Sequence, residues 1–438
     1  MFRHLFPASR TVFAGCFFGF AAVLLTEACA SDSSVFQLGG PRYGRVLVVA
    51  NRNSPVSLEL AEQYCRARHL PAGNLLRVDL PVTPTIQRKV FSERLLTPVQ
   101  ERLASLGNAV DFIVLVRGIP YRVNRVSTTT ALYFGGLDTV RQFHGYFGRE
   151  EPFDAAIPYY GRHYRPVTML SGFSFADTLH VINRSQIRYS TPKQAGTFYF
   201  CEGVGPRGSR NSQIDPVLWQ LRERGFAAKR IKSPHVQNKS DVILQFTGAT
   251  KINLGTTAYR PGAIVDNMTS FGGYLLENTS QMSVLAFLAK GACGTYGTVS
   301  EPTNSPLRWA NYALALRYAD GFTLAEAYYQ SVQDLHYAVI VGDPLLAPFA
   351  RPAEAELEAV QPVVQPGEDA KIRVTATEGA PGEGLSHLEL WVNDQHLVST
   401  WQPDLPPNTE CELQVSTQNK VLHEHTFKTA VRERLPKV

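Results

Sequence analysis

Two short runs, FIVLV at 112–116 and VILQF at 242–246, constrain the fold of this 438-residue chain most strongly. Nearly every side chain in them is apolar, so a strand formed by either run has two faces to bury. Such strands are typical of parallel sheets that are covered by helices on both sides. The two runs therefore predict an α/β protein.

The residues that precede the first run alternate between strand and helix patterns. An apolar strand at 45–51 leads to a helix that we expect to begin at Ser57 as its N-cap. A second strand follows, then a helix at 91–107 that we expect Pro98 to break. Strand–helix alternation in this order predicts a doubly wound, mainly parallel sheet.

Between residues 124 and 194 the periodicity is lost, except for a helix pattern at 175–185, and we interpret this region as an insertion that covers one end of the sheet. The alternation then resumes. We expect strands at 196–203, 226–232, 241–248, 262–267 and 292–299, and helices at 214–225, 279–290, 306–319 and 323–335, and the run at 337–349 closes this part of the chain.

The two ends of the chain differ in character from the α/β domain, which we assign to 31–350. Residues 351–438 form short alternating runs separated by Pro, Gly, Asn and Asp, which predicts an immunoglobulin-like β-sandwich. Residues 1–30 combine a basic start, an apolar stretch and Ala-Cys-Ala before Ser31, which predicts a signal peptide cleaved after Ala30. The protein is then exported to the periplasm, the outer-membrane surface or the medium. Cleavage before Cys29 with lipidation is the alternative, and only that route predicts a membrane attachment.

Composition excludes some functions. The net charge of +5 is spread along the chain without a basic cluster, so we expect no nucleic-acid partner. The six cysteines show no spacing suited to zinc, and no motif indicates a cofactor. Disulfides are allowed in an exported protein but nothing in the spacing demands them. We expect Cys65 and Cys293 to be buried and inert.

Polar residues follow three neighbouring predicted strands. Parallel strands bring their C-terminal ends to one edge of the sheet, where ligands bind in this class of fold. We therefore expect a candidate pocket there, while turn formation and helix capping are the alternative roles of the same residues. The candidate residues are Thr247, Gly248, Asp266, Asn267, Thr269, Ser270 and Glu301.

Ser270, in the stretch GAIVDNMTSFGG, invites comparison with a hydrolase nucleophile. No histidine occurs between residues 236 and 335, and the GxSxG motif is absent. We therefore predict that Ser270 is not a nucleophile. A hydrolase that uses Asp266, Ser270 and Glu301 in another way remains the alternative. We also expect Gly272 or Gly273 to adopt positive φ at a sharp reversal before the next helix.

Several blocks in a fixed order resemble an uncharacterised family of exported bacterial proteins. They are VLVVANRNSPVSLELAEQYCRARHLP, FIVLVRGIP, GAIVDNMTSFGG, YGTVSEP, DGFTLAEAYYQSV and VGDPLL, and the resemblance covers roughly 45–349.

That family is distantly similar to gingipain-type cysteine peptidases, whose caspase-like domains often precede an immunoglobulin-like module. The resemblance implies a catalytic histidine after the strand that ends in Thr-Gly, and a cysteine after the next strand. This chain has Ala249 at the first position and Thr269 or Ser270 at the second. The resemblance therefore implies a caspase-like domain without catalytic residues. Such a protein would bind or assemble at the cell envelope with a protein or glycan partner.

Overall fold

The computed structural model describes residues 45–351 except 278 and 304, and beyond them the backbone of six strands between 354 and 433. The predicted signal peptide lies outside the described residues. The chain divides into two compact units, of which the larger comprises residues 45–67 and 73–350.

The larger unit contains thirteen described strands. In chain order they are β1 Val46–Asn51, β2 Leu75–Val78, β3 Thr85–Ile86, β4 Phe112–Val116, β5 Arg122–Val123, β6 Val126–Ser127, β7 Val167–Leu170, β8 Thr197–Cys201, β9 Ala227–Ile231, β10 Val242–Thr247, β11 Tyr259–Asn267, β12 Gly294–Thr298 and β13 Ala338–Gly342. Ten of them form one sheet in the order β2-β1-β4-β7-β13-β12-β11-β10-β8-β9, and β3, β5 and β6 form a small separate sheet.

The large sheet consists of two parallel groups. Strands β2, β1, β4 and β7 are parallel to one another, as are β12, β11, β10, β8 and β9. Strand β13 lies between the groups, runs antiparallel to β12 and meets β7 at one residue pair, Val341 and Met169. The prediction of an α/β protein with a large, mainly parallel sheet is confirmed.

Ten helices are described in the larger unit. They are α1 Pro55–Ala67, α2 Arg88–Phe91, α3 Thr97–Leu106, α4 Thr128–Tyr133, α5 Phe175–Arg184, α6 Pro192–Ala195, α7 Ile214–Glu223, α8 Leu285–Ala289, α9 Ala313–Ala319 and α10 Leu324–Ser331. Every residue of β1, β4, β10 and β12 is buried, because helices cover both faces of the sheet.

The start of α1 differs from the prediction. The helix begins at Pro55, and the Ser54 hydroxyl accepts a hydrogen bond from the Ser57 amide (3.3 Å), so Ser54 caps the helix. The Ser57 hydroxyl instead accepts from the Asn51 amide (2.9 Å) and fastens the helix to the end of β1. Sequence spacing did not separate these two serines.

Pro98 does not break the helical segment at 88–106. A π-helical turn at Ser92–Leu96 joins α2 to α3, and Pro98 lies in the first turn of α3. The amide of Thr97 donates to the carbonyl of Ser92, in the longer spacing of a π turn. Proline has no N–H to donate, and Pro98 stands where the segment changes from π to α spacing.

Two other regions depart from the expected pattern. The supposed insertion at 124–194 supplies β7 to the middle of the sheet, so it is not only a cover over one end. The helix expected at 279–290 is reduced to α8, and residues 272–277 and 279–284 are irregular instead. In that loop the Ser283 hydroxyl donates to the carbonyl of Leu275 (3.0 Å), which is the competition with helix formation that short polar side chains exert.

The C-terminal segment contains six described strands: β14 Glu354–Ala359, β15 Asp369–Thr377, β16 Leu385–Val392, β17 Gln395–Leu405, β18 Thr409–Ser416 and β19 Phe427–Glu433. They form two antiparallel sheets of three strands each, in the orders β14-β15-β18 and β17-β16-β19. The predicted strand-rich character is present; an immunoglobulin-like fold for this segment stays a prediction.

Candidate functional site

The C-terminal ends of β10, β11 and β12 lie side by side, as expected for neighbouring parallel strands. Phe246 of β10 is paired with Asp266 of β11, and Asp266 with Tyr296 of β12. The ends of these strands and the loops that follow them carry all seven residues of the predicted pocket. Their side chains nevertheless have different environments and do not all line one opening.

Asp266 is a buried partner in an ion pair. Its Oδ1 lies 2.6 Å from Nη1 of Arg210, and both side chains are almost fully buried. Arg210 also donates to the carbonyls of Thr247 (3.1 Å) and Ala310 (2.7 Å), and its guanidinium lies 5.0 Å from the ring centre of Phe246. Burial raises the pKa of Asp266, and the positive charge of Arg210 opposes that rise. The pair ties the loop after β8 to the ends of β10 and β11.

Glu301 has the opposite environment, because it is exposed in the loop after β12. Asp266 and Glu301 therefore do not face each other across an open cleft. Acid–base chemistry by a pair of carboxyl groups requires both of them to reach a substrate. This geometry disfavours the hydrolase alternative.

Asn267 is the last residue of β11, and its side chain connects this strand to the loop after β10. Its side-chain oxygen accepts from the backbone amide of Ala249, and its side-chain nitrogen donates to the carbonyl of the same residue, both at 3.1 Å. The Thr247 hydroxyl likewise donates to the carbonyl of Pro234 (2.6 Å). At Gly248 a Cβ would collide with the backbone of Arg207. These three residues hold loops together.

Thr269 and Ser270, the two positions at which the resemblance implies a cysteine, lie in the loop after β11. The Thr269 hydroxyl is buried and donates to the side-chain oxygen of Gln281, which also accepts from the amide of Phe271 (3.2 Å). Ser270 is half-buried, and its carbonyl accepts from the hydroxyl of Thr298 (2.6 Å). Among the described residues no histidine forms a hydrogen bond with either hydroxyl, so no imidazole is placed to take a proton from either one.

The opening at this edge is a groove of about 550 Å³ between the loops after β7, β10 and β11, which we call the strand-end groove. It is lined by Phe173, Lys251, Ile252, Leu275, Leu276, Glu277, Thr279, Gln281, Met282 and Ser283. None of the seven predicted residues belongs to this lining. Thr269 contacts the lining only indirectly, because its hydroxyl donates a hydrogen bond to the lining residue Gln281.

Sequence reasoning missed the groove because its walls come from segments far apart in the chain. Phe173 precedes α5, whereas residues 275–277 and 279–283 lie in the loop after β11, of which only the part from Thr279 onward was predicted as helix. No pattern in the sequence marks the groove, because the exposure of the apolar side chains at its rim, 44% for Phe173 and 49% for Leu276, shows only in the structure.

An ion pair beside this groove connects Arg122 of β5, in the small sheet, to Glu277 of the groove lining. Arg122 forms an ion pair with Glu277 (2.7 Å), and its guanidinium stacks over the ring of Tyr274 at 4.3 Å. Tyr121 donates a hydrogen bond to the same carboxylate. Burial, followed by that hydrogen bond, raises the pKa of Tyr121, so its proton stays in place. The segment after β4 is thereby fastened to the loop after β11.

Gly272 and Gly273 differ from expectation in backbone conformation, since neither has a positive φ. Close packing explains the glycines instead. A Cβ at Gly273 would lie 2.8 Å from the carbonyl carbon and oxygen of Thr298, and one at Gly297 would lie 2.5 Å from the nitrogen of Gly273. The loop after β11 rests directly on the backbone of β12.

The three cysteines whose side chains the structure describes offer no site. Cys201 and Cys293 are buried, as expected for Cys293, whereas Cys65 is only half-buried, contrary to expectation. Desolvation raises the pKa of the Cys65 thiol to about 11 and leaves it unreactive at neutral pH. No group of His, Cys, Asp or Glu side chains within the described ranges could hold a metal ion.

Comparison of the chain with protein-family models, with curated proteins and with solved structures found no match. Within the portion that the structure describes, no helix is both long enough and apolar enough to cross a membrane.

Proposed function

We propose that this chain is an exported, catalytically inactive caspase-like protein that binds an extended segment of a partner protein in the strand-end groove. The C-terminal segment, as an immunoglobulin-like module, would serve as a spacer or docking element. The observation that carries the proposal is the clamp between Asn267 and Ala249, because position 249 is where the resemblance implies the catalytic histidine.

The clamp argues against peptidase activity. Position 249 is an alanine whose backbone is held through both its amide and its carbonyl. A hydroxyl at Thr269 is far less acidic than a thiol, and here it is engaged with Gln281. The mainly parallel sheet, with helices on both faces, is the architecture that the resemblance implies and supports the same proposal.

The chemistry of the groove favours a peptide segment over a glycan. Its rim carries two exposed apolar side chains, Phe173 and Leu276, which suit a bulky apolar side chain of a partner. Lys251 is exposed at the same opening and forms no ion pair within the described part of the chain, whereas Glu277 is neutralised by Arg122. A segment with an apolar residue next to a carboxylate therefore fits the groove best.

Selection from a random peptide library displayed on phage tests this proposal. We expect the selected peptides to share a bulky apolar residue beside Asp or Glu. Their affinity should fall at least tenfold for the Phe173→Ser/Leu276→Ser double variant, which removes the apolar rim. Trp219→Ser is the matched control, since Trp219 is 63% exposed on α7 and does not line the groove.

Three outcomes would contradict the proposal. They are selection of no peptide above background, equal binding by the double variant, or binding of oligosaccharides in place of peptides. Loss of binding in both the double variant and the Trp219 control would place the interaction elsewhere on the surface.

A further inference from the structure

A second opening lies on a face of the sheet, between α3, α4 and residues 162–165, and has a volume of about 560 Å³. We call it the α3–α4 cavity. It lies over Ile113, toward the N-terminal end of β4, whereas the strand-end groove follows the C-terminal ends of the strands. Its volume falls within the range of roughly 300–1,000 Å³ that is typical of small-molecule sites.

Most of the wall of the α3–α4 cavity is apolar. Leu96, Val99 and Leu103 line it from the helical segment at 92–106, and Leu132 and Phe134 line it from α4 and the residue after it. Leu96 is the last residue of the π-helical turn. Turns of this kind are rare and are often found at functional sites.

One end of the same cavity is cationic. Arg162, His163 and Arg165 contribute to it, and its lining, all of which is described, includes neither Asp nor Glu. Two carboxylates outside the lining, those of Asp111 and Asp154, act on Arg165, and that of Asp111 is engaged by Arg45 in two hydrogen bonds of 2.9 and 2.7 Å. The positive charge at this end is therefore not neutralised by a lining carboxylate.

Arg165 still has donors to offer. Its Nη1 donates to the carbonyls of Tyr164 (2.9 Å) and Ala155 (3.4 Å). Nε is buried without a partner, and Nη2 forms no hydrogen bond in the described part of the chain. A guanidinium with unused donors beside a concave apolar wall is suited to bind an oxyanion.

We propose that the α3–α4 cavity binds a small anionic amphiphile, whose apolar body lies against α3 and α4 and whose carboxylate or phosphate lies against Arg162 and Arg165. This site is independent of the strand-end groove. The apolar wall would contribute most of the affinity through burial of hydrocarbon, and the arginines would select for the negative charge.

Isothermal titration of the mature protein with four twelve-carbon probes tests the proposal. The probes are laurate, dodecyl phosphate, dodecanol and dodecyltrimethylammonium, below their aggregation limits. We expect one or both anions to bind at least tenfold more tightly than the alcohol, and the cation to bind least. The tighter of the two anions identifies the head group.

Three variants complete the experiment. Arg165→Met and Arg162→Met should each weaken binding of the tighter anion at least fivefold, and Arg162, which is exposed, can be replaced without disturbing packing. Arg94→Met is the control, because it removes the same charge from the π-helical turn outside the cavity lining. Equal binding of anion and alcohol, no binding of any probe, or equal loss in the Arg94 variant would overturn the proposal.

Discussion

Replacement of Gly273 by alanine tests how the loop after β11 is held against the sheet. In the native backbone the new Cβ would lie 2.8 Å from both the carbonyl carbon and the oxygen of Thr298, and 2.8 Å from Cγ1 of Val339. Two of these atoms belong to the backbone of a central strand and cannot rotate away. The loop must therefore move, and overpacking of this kind costs about 1–3 kcal/mol.

Thermal unfolding followed by circular dichroism measures that cost. For a domain of this size about 1 kcal/mol corresponds to a shift of roughly 2–4 °C, so we expect Gly273→Ala to melt about 2–12 °C lower. Gly297→Ala creates a clash with the same loop, and a single displacement of the loop relieves both. The double variant should therefore lose less than the sum of the two single losses.

Two other glycines provide the controls. A Cβ at Gly73 would meet nothing within 4 Å, and Gly73→Ala should be neutral or slightly stabilising. At Gly272 the nearest atoms are side-chain carbons at 3.1 and 3.2 Å, so the loss there should be small. A melting temperature of Gly273→Ala equal to that of Gly73→Ala would refute the close-packing explanation.

Four further predictions concern the Arg210–Asp266 pair, the clamp of Asn267, the Ser270 hydroxyl and the predicted signal peptide. Arg210→Met should destabilise by about 3–5 kcal/mol at neutral pH because it leaves Asp266 charged and unpaired. Asp266 has a raised pKa in the folded state, so this deficit should shrink as the pH falls toward the ordinary Asp value of about 3.9, as urea titrations at several pH values would show. Asn267→Ala removes two hydrogen bonds and should cost about 1–3 kcal/mol in the same assay, and a loss below 0.5 kcal/mol would contradict the clamp. The protein should cleave reporter peptides with Arg, Lys or Asp at the cleavage position no faster than its Ser270→Ala variant does. Cleavage by the protein that the variant lacks would show that Ser270 is a nucleophile. N-terminal sequencing of exported protein should begin at Ser31, whereas a lipid-modified Cys29 would contradict this cleavage site.

The sequence was most informative where a residue's environment depends on its own strand. Continuous apolar runs such as 112–116 and 242–246 can be buried in few ways, and both are strands of the large sheet. Strand β7 was missed because it has only four residues in an aperiodic region. The helix expected at 279–290 was too long because apolar spacing does not reveal that Ser283 bonds to the loop backbone.

The candidate site was less predictable, because it depends on contacts between distant segments. Arg210 and Asp266 are 56 positions apart, and Arg122 and Glu277 are 155 apart. The strand-end rule directed attention to this edge of the sheet. It could not distinguish side chains that line the opening from side chains that support it, since that depends on loop geometry. For the same reason Phe173 was not predicted as a groove residue.

Fluorescence anisotropy of a labelled, phage-selected peptide, recorded over a day with excess protein, tests the central claim most directly. The signal reports binding and cleavage together, because an intact complex tumbles slowly and a released fragment tumbles fast. An inactive binding domain predicts a rise to a plateau that then stays constant. A signal that never rises would contradict the strand-end groove as a peptide site, and a rise followed by a fall below the starting value would show that the domain is a peptidase.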